Sequence, residues 1–225
     1  MDDSNAPHSQ AGDTGRLEAA AAARELLHEL VAAEPGDLAL RQLARTLRDA
    51  SATLREAPRR VRVMPDFETL AELRDSGANV TDYALADRAV AGPANPASVE
   101  FRSRREGDEA VADVRFGRAF EGAPGRVHGG LVAAVFDDIT GFALSIAREP
   151  GFTGRLTVSY RAPVPVDTDV VFRARYRDRD GRKLYVNAEA RAGETVLATA
   201  EALFILVERD HFLTDARELL NQSKD

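Results

Sequence analysis

One stretch constrains this chain more than any other. From His128 to Arg148 the residues are predominantly apolar over the length of a long helix, and segments patterned for β-structure flank them on both sides. A helix with so broad an apolar surface must be covered. The cover is at hand in the sequence. Ser98–Arg104 and Ala110–Phe116 alternate or are β-rich on the upstream side, with a turn at Glu106-Gly107-Asp108 between them. Four more strand-like segments follow downstream: Gly154–Arg161, Asp169–Arg179, Lys183–Ala192 and Thr195–Val207. Turns at Pro163–Asp167, Asp180-Gly181 and Gly193-Glu194 separate them, and Asp-Gly is a strong hairpin signal. Two strands, one long helix and a run of antiparallel strands predict an α+β fold in which one antiparallel sheet wraps around one central helix. No internal repeat is evident.

The chain upstream reads differently. Residues 1–15 are polar and acidic and are expected to form a disordered tail. Residues 16–33, rich in Ala, Leu and Glu, predict a helix. Pro35-Gly36 breaks it, and Asp37 is placed to cap a second helix that runs to Glu56 and ends before Pro58. Leu38, Leu40, Leu43, Leu47 and Leu54 give that helix an imperfect apolar stripe, so the pair is expected to form a helical hairpin. Residues 59–97 look irregular, with helical character around Phe67–Arg74 and a Gly- and Pro-rich stretch at 92–96. The expected organisation is therefore a tail (1–15), a helical N-terminal extension and linker (16–95), the sheet-and-helix domain (96–210) and a C-terminal tail (211–225).

Composition removes several classes of function. Cysteine is absent, which excludes disulfides, zinc-thiolate sites and a cysteine nucleophile. The net charge of -7 argues against general nucleic-acid binding. No run of some 18 uninterrupted apolar residues is evident, so no membrane span is expected. The N-terminal residues lack the basic and apolar regions of a signal peptide, and a cytoplasmic location is expected. Apart from Lys183 and Lys224 the basic residues are arginines, so anions would be held mainly by guanidinium.

The candidate chemistry lies where the central helix begins. Unpaired N–H groups at a helix N-terminus carry the positive end of the macrodipole. Glycines at 129 and 130 would let a substrate carbonyl approach them closely, as in an oxyanion hole. On a helical wheel Leu131, Val135, Ile139, Phe142 and Ile146 form the stripe the sheet would cover. Asp137 points elsewhere, among Gly130, Ala133, Ala134, Thr140 and Gly141. Asp138 lies nearer the apolar edge and is the less obvious chemical group. A carboxylate among small residues, two turns beyond a Gly-Gly start, could activate water or attack a polarised carbonyl. The residues alone leave a plainer reading open: the Gly-Gly pair as close packing, His128 as structural and Asp137 as a solvated helix residue.

The run EGAPGRVHGGLVAAVFDDITG resembles the signature of hot-dog-fold thioesterases of the phenylacetyl-CoA and long-chain acyl-CoA group, which carry a His-Gly-Gly turn and an acid nine residues after the histidine. TGRLTVSYRAPVP and DGRKLYVNAEA resemble the strand after the helix and the next hairpin, so the likeness covers residues 96–207. It implies hydrolysis of an acyl-CoA, with CoA as part of the substrate, no cofactor and no metal site. A backbone N–H of the turn, Gly129 or more particularly Gly130, would polarise the thioester carbonyl. Asp137 would serve as general base or nucleophile, and His128 would support the turn. Thr153 matches a hydroxyl that orients water, while Ser159, Arg161, Arg182 and Lys183 match positions contacting CoA. Ser159 stands where asparagine is expected in the animal long-chain enzymes. Glu121-Gly122-Ala123-Pro124 offers no amide where other branches place one. Such enzymes work as homodimers or homotetramers with a shared site.

Arg173, Arg175, Arg177 and Arg179 alternate, so on a strand they share a face. They suit either a positive field for phosphates or a solvated outer sheet face, and the second reading is preferred for Arg173 and Arg175. The competing functions are a hot-dog hydratase, disfavoured by the acid's position, and a non-catalytic acyl-CoA-binding or sensing module.

Overall fold

The computed structural model describes residues 10–59 and 86–207. The helical character expected at Phe67–Arg74, the first nine residues and the tail after 207 lie outside the described residues. The elements are α1 (Gln10–Ala32), α2 (Asp37–Glu56), β1 (Glu100–Glu106), β2 (Glu109–Arg115), a 3-10 turn (Arg118–Phe120), α3 (Gly129–Ile146), β3 (Gly151–Tyr160), β4 (Asp169–Asp180), β5 (Lys183–Ala192) and β6 (Thr195–Leu206).

All the strands belong to one antiparallel sheet in the order β1-β2-β4-β5-β6-β3. The strand that follows the helix is thus carried to the far edge, and the sheet curls over α3 between its first two strands and the rest. Three hairpins close through two-residue loops, Gly107-Asp108, Gly181-Arg182 and Gly193-Glu194, because Glu106 pairs with Glu109, Asp180 with Lys183 and Ala192 with Thr195. In each loop the glycine stands first with positive φ, 64°, 57° and 54°, the conformation a primed hairpin turn demands at that position. The Asp180-Gly181 signal is therefore offset by one residue: Asp180 ends β4 and Arg182 completes the turn.

Buried Val132, Val135, Phe136, Ile139, Phe142 and Ala143 on α3 meet Val170, Phe172, Val186, Ala190, Ala198 and Phe204 of the sheet. Phe136 and Phe172 pack edge to face with centroids 5.0 Å apart, a pair worth about 1 kcal/mol beyond its burial. The expected stripe was out of phase at its ends. Leu131 and Ile146 are only partly buried, while Val132 and Phe136 are fully enclosed, because a curved sheet covers more than one side of the helix. By length and composition alone α3 would be long and apolar enough to cross a membrane. Its apolarity is accounted for by the sheet that covers it.

α3 ends in a Schellman motif. Glu149 N–H donates to Leu144 O and Arg148 N–H to Ser145 O, with Arg148 at φ 58° in the left-handed position usually given to glycine.

The N-terminal part departs from expectation in three ways. α1 starts at Gln10 rather than Arg16, since no proline interrupts residues 10–15. The N-cap of α2 is Gly36, and Asp37 is the first helical residue, paired with Arg41 at 2.7 Å. The helical hairpin does not close: no residue of α2 is buried, and Leu38 and Leu54 are exposed. α1, in contrast, is fastened to the sheet domain. Arg24 donates to the carbonyls of Pro93, Asn95 and Ser98 and to Ser98 Oγ at 2.8–3.1 Å. His28 Nδ1 accepts from Ala119 N–H at 3.1 Å, and its ring meets Phe120 edge-on at 5.1 Å. The ring lies directly over Gly117, where any Cβ would fall 2.6 Å from it. Burial, ahead of all other influences, holds the His28 pKa below its ordinary value. His28 is therefore the neutral acceptor this contact requires.

Candidate active site

The start of α3 is built by His128. Its backbone is extended (φ -61°, ψ 127°) and its own Nδ1 accepts from Gly130 N–H at 3.1 Å. The residue read as a support for the turn is thus its N-cap, a role usually taken by Ser, Thr, Asp or Asn. Its backbone is fixed in turn, because His128 N–H donates to Phe120 O at 2.9 Å. The cap has a consequence for the expected oxyanion donor. Gly130 N–H is engaged by the His128 side chain, so an incoming carbonyl would have to displace that imidazole. Gly129 N–H, at the first helical position, has no acceptor among the described residues.

Asp137 is exposed, and Thr153 Oγ1 donates to its Oδ1 at 2.9 Å. The acid and the hydroxyl selected from the sequence are therefore in direct contact. Asp138 has the opposite environment, with its side chain 12% exposed and ion-paired to Arg88 at 2.5 Å. One of the adjacent acids is presented to solvent, and the other ties the segment before β1 to α3.

These groups occupy two places. Asp137 follows Gly130 by seven residues, about 10 Å along the axis at 1.5 Å per residue. β3 spans the same two places. Thr153 lies near its beginning and Tyr160 at its end, about 23 Å apart at 3.3 Å per residue. Arg161 follows Tyr160 at the His128 end, where Arg126, Gly129, Val132, Tyr160, Arg161 and Val164 line an open cleft of ≈ 280 Å³. Arg182 and Lys183 lie at the other end, since Lys183 pairs with Ile205 and Ile205 with Phe152. Arg182 donates to Leu206 O at 3.2 Å. Ser159 precedes Tyr160 and so projects from the opposite face of β3, away from the turn. One chain thus assembles the turn with Arg161, and Asp137 with Thr153, but does not bring the two groups together.

Two residues of the turn region were missed in the sequence. Tyr160 Oη donates to Gly129 O at 2.6 Å; its place in the strand-end segment VSYRAP was visible, but not its reach to the helix. Arg126 lines the cleft together with Arg161, and only its position two residues before His128 could have pointed to it. The alternating arginines follow the plainer reading. Arg173 pairs with Glu106 and Glu109 at 2.8 and 3.0 Å, Arg175 with Asp108 at 2.6 Å, and Arg179 with Glu149 at 3.3 Å. Arg177 lies 5.0 Å from the centroid of the Tyr185 ring. Arg173, Arg175 and Arg177 lie on the outer sheet face, but the expectation that all four share it fails: the register shift between Tyr176 and Asp178 turns Arg179, which pairs with buried Leu184, to the helix side, where Glu149 follows α3. Among the described residues no cluster of three or more His, Asp or Glu is placed to hold a metal ion.

Comparison with known proteins places this geometry in a class. A solved crystal structure described as a thioesterase superfamily protein superposes with a TM-score of 0.71, covering 84% of this chain and 94% of its own at 24% identity. The architecture is therefore a hot-dog fold, and a match of that extent reaches into the N-terminal part. Residues 124–199, which hold the turn, Asp137, Thr153 and β3 to β5, match the thioesterase superfamily. Acyl-coenzyme A thioesterase THEM4 of Mus musculus is 33% identical over 100 residues, 44% of this chain and 43% of that protein. Acyl-coenzyme A thioesterase THEM5 of Homo sapiens is 32% identical over 94 residues, 41% of this chain and 38% of its own length. The chain thus spans less than half the length of these relatives.

Proposed function

We propose that this chain is an acyl-CoA thioesterase, hydrolysing an acyl-CoA to a free acid and CoA in a site shared between two copies. The observation that carries the reading is the exposed Asp137 carboxylate held by Thr153 on the same helix that opens with the His128-capped Gly-Gly turn. The names of the relatives matched over this segment support the substrate class. The thioester carbonyl would take the Gly130 N–H from His128 Nδ1, with the Gly129 N–H and the helix terminus adding to the field on the developing oxyanion. As general base, Asp137 would accept a proton from water as its oxygen attacks the acyl carbon. The C–S bond then breaks, and the CoA sulfur leaves with the proton returned from Asp137. As nucleophile, an Asp137 carboxylate oxygen would attack the acyl carbon, the C–S bond would break to release CoA as its thiolate, and water would then open the acyl anhydride to free acid and Asp137 carboxylate. Hydrolysis in 18O-water under single turnover tests the second route: label retained in the Asp137 carboxyl reports an anhydride opened at that carbon.

The distance between the turn and the acid supports the shared site. A base acting through one water must lie within hydrogen-bond reach of it, and about 10 Å of helix separates the two groups in one chain. β3 is an edge strand with no buried residue. Antiparallel pairing of two β3 edges about a twofold axis would bring the Tyr160 end of one copy against the Thr153 end of the other. A homodimer, alone or doubled into a homotetramer, is the proposed assembly. In it Arg161 and Arg126 would meet CoA phosphates beside the turn, with Arg182 and Lys183 approaching from the partner copy. Cytoplasmic location and independence of a cofactor belong to the same proposal. The test is thiol release from a panel of aromatic and aliphatic acyl-CoAs. Turnover of one class supports the reading, and tight CoA binding without turnover of any favours the non-catalytic module.

A further inference from the structure

We propose that Tyr160 is a positioning residue for this reaction, holding and polarising the one peptide group that carries the oxyanion donor. The inference rests on the thioesterase reading and assigns a role to a residue outside the expected set. Tyr160 Oη donates to Gly129 O at 2.6 Å. That carbonyl and the Gly130 N–H are the two ends of a single planar amide. The N–H end donates to His128 Nδ1 at 3.1 Å. The 129–130 peptide is therefore held at both ends, and its plane cannot tilt without losing one of the two contacts. When the substrate carbonyl replaces His128 at the N–H, Tyr160 is the side-chain contact that remains, beside the helix's own bond to the Gly129 carbonyl.

The bond also acts on the electrons of the amide. A donor on the carbonyl oxygen draws charge towards it through the conjugated C–N bond and makes the N–H a stronger donor. Chains of hydrogen bonds strengthen one another in this way by roughly 10–30% per bond. The benefit rises as negative charge develops on the substrate oxygen, so it belongs to the transition state more than to ground-state binding.

Two further observations make the contact specific. A Cβ at Gly129 would lie 3.2 Å from Tyr160 Oη and 3.3 Å from its Cζ, so a side chain at 129 would press the hydroxyl a few tenths of an ångström from its place at the carbonyl. Tyr160 is also 52% exposed, and the site-directed hydroxyl is its one hydrogen-bonding group, so core packing does not account for its placement.

Tyr160→Phe separates the hydroxyl from the ring. The expected result is a fall in kcat of about tenfold, the order of one hydrogen bond, with KM within twofold and Tm nearly unchanged. The amide signal of Gly130 in a nitrogen–proton correlation spectrum should move as the polarising contact is lost. Gly129→Ala, which crowds the hydroxyl, should lower kcat similarly, and the double variant should lose less than the product of the two single effects. Unchanged kcat, an unmoved Gly130 amide, or a loss confined to KM or to Tm would overturn the assignment. A wild-type protein inactive on every acyl-CoA would overturn the thioesterase reading instead, while the Gly130 amide shift would still report whether Tyr160 polarises that peptide.

Discussion

The two ends of β3 are built on different principles. At its last residue Tyr160 reaches a helix terminus where three backbone groups are directed: Gly129 O by Tyr160, Gly130 N–H by His128, and His128 N–H by Phe120 O. Near its beginning, after which the register shifts between Thr153 and Arg155, one hydroxyl meets one exposed carboxylate. The first end is a preorganised set of backbone dipoles, and the second is an exposed charge held by a hydroxyl. Electrostatic stabilisation requires fixed donors, whereas a base or nucleophile must be free to meet water or an acyl carbon. The difference matches the work each end is proposed to do.

The largest expected effect tests the acid end. Asp137→Ala should remove hydrolysis by a factor of 10²–10⁴, the range for a general base, with Tm and CoA binding retained by scanning fluorimetry and calorimetry. Full turnover in that variant would eliminate the acid from the mechanism. Mixing then asks whether the ends belong to one chain or two. Asp137→Ala and Gly130→Pro, which deletes the N–H donor, should each be inactive. Refolded together, they should recover about a quarter of wild-type activity, because half of randomly formed twofold dimers are mixed and each carries one intact site. No recovery would place both ends of a working site in one chain.

Thr153→Val should cost about tenfold in kcat, one charge-assisted hydrogen bond, read in the same thiol-release assay. A smaller effect is expected from acidification, and only at the turn end. The His28 pKa is lowered by burial, and Glu100, Asp167 and Glu29 raise it while Arg24 lowers it further. A histidine whose folded pKa is depressed binds fewer protons folded than unfolded, so its contribution to stability falls as pH drops through the ordinary histidine range near 6.5 and below. Amide exchange around Ala119 and Phe120 should quicken there while Thr153 is unaffected, and His28→Asn, which keeps an acceptor without titrating, should abolish the dependence. Smallest of all, Ser159→Ala should change activity by less than about twofold, since Ser159 projects from the face opposite the turn; a larger loss would show that the opposite face contributes to the site.

The sheet and its helix were legible because period and polarity are local properties. The strands at 169–180 and 183–192 could be read almost to the residue from their alternation and their glycine turns. The His-Gly-Gly turn and Asp137 were legible through resemblance, and physics alone separated Asp137 from Asp138 by its small neighbours. What could not be read depended on contacts between distant elements. Tyr160 to Gly129 spans 31 residues, and no local pattern marks a strand-end tyrosine as a helix contact. The phase of α3 was misjudged at Leu131 and Ile146 because a helical wheel assumes a flat partner. The same limit applied to His28, an ordinary helix histidine until Gly117 and Ala119, some 90 residues on, are brought against it.

That last contact changes where the sheet-and-helix domain can be cut. Starting a protein at residue 96 would follow the composition, yet it would leave the Phe120 ring uncovered, the Ala119 N–H without its acceptor and a His28-sized hollow above Gly117. Phe120 is the residue whose carbonyl holds His128. For anyone trimming, fusing or transplanting this hot-dog domain, the helix at 10–32 is part of the working piece, and the seam visible in the amino-acid composition is not a seam in the molecule.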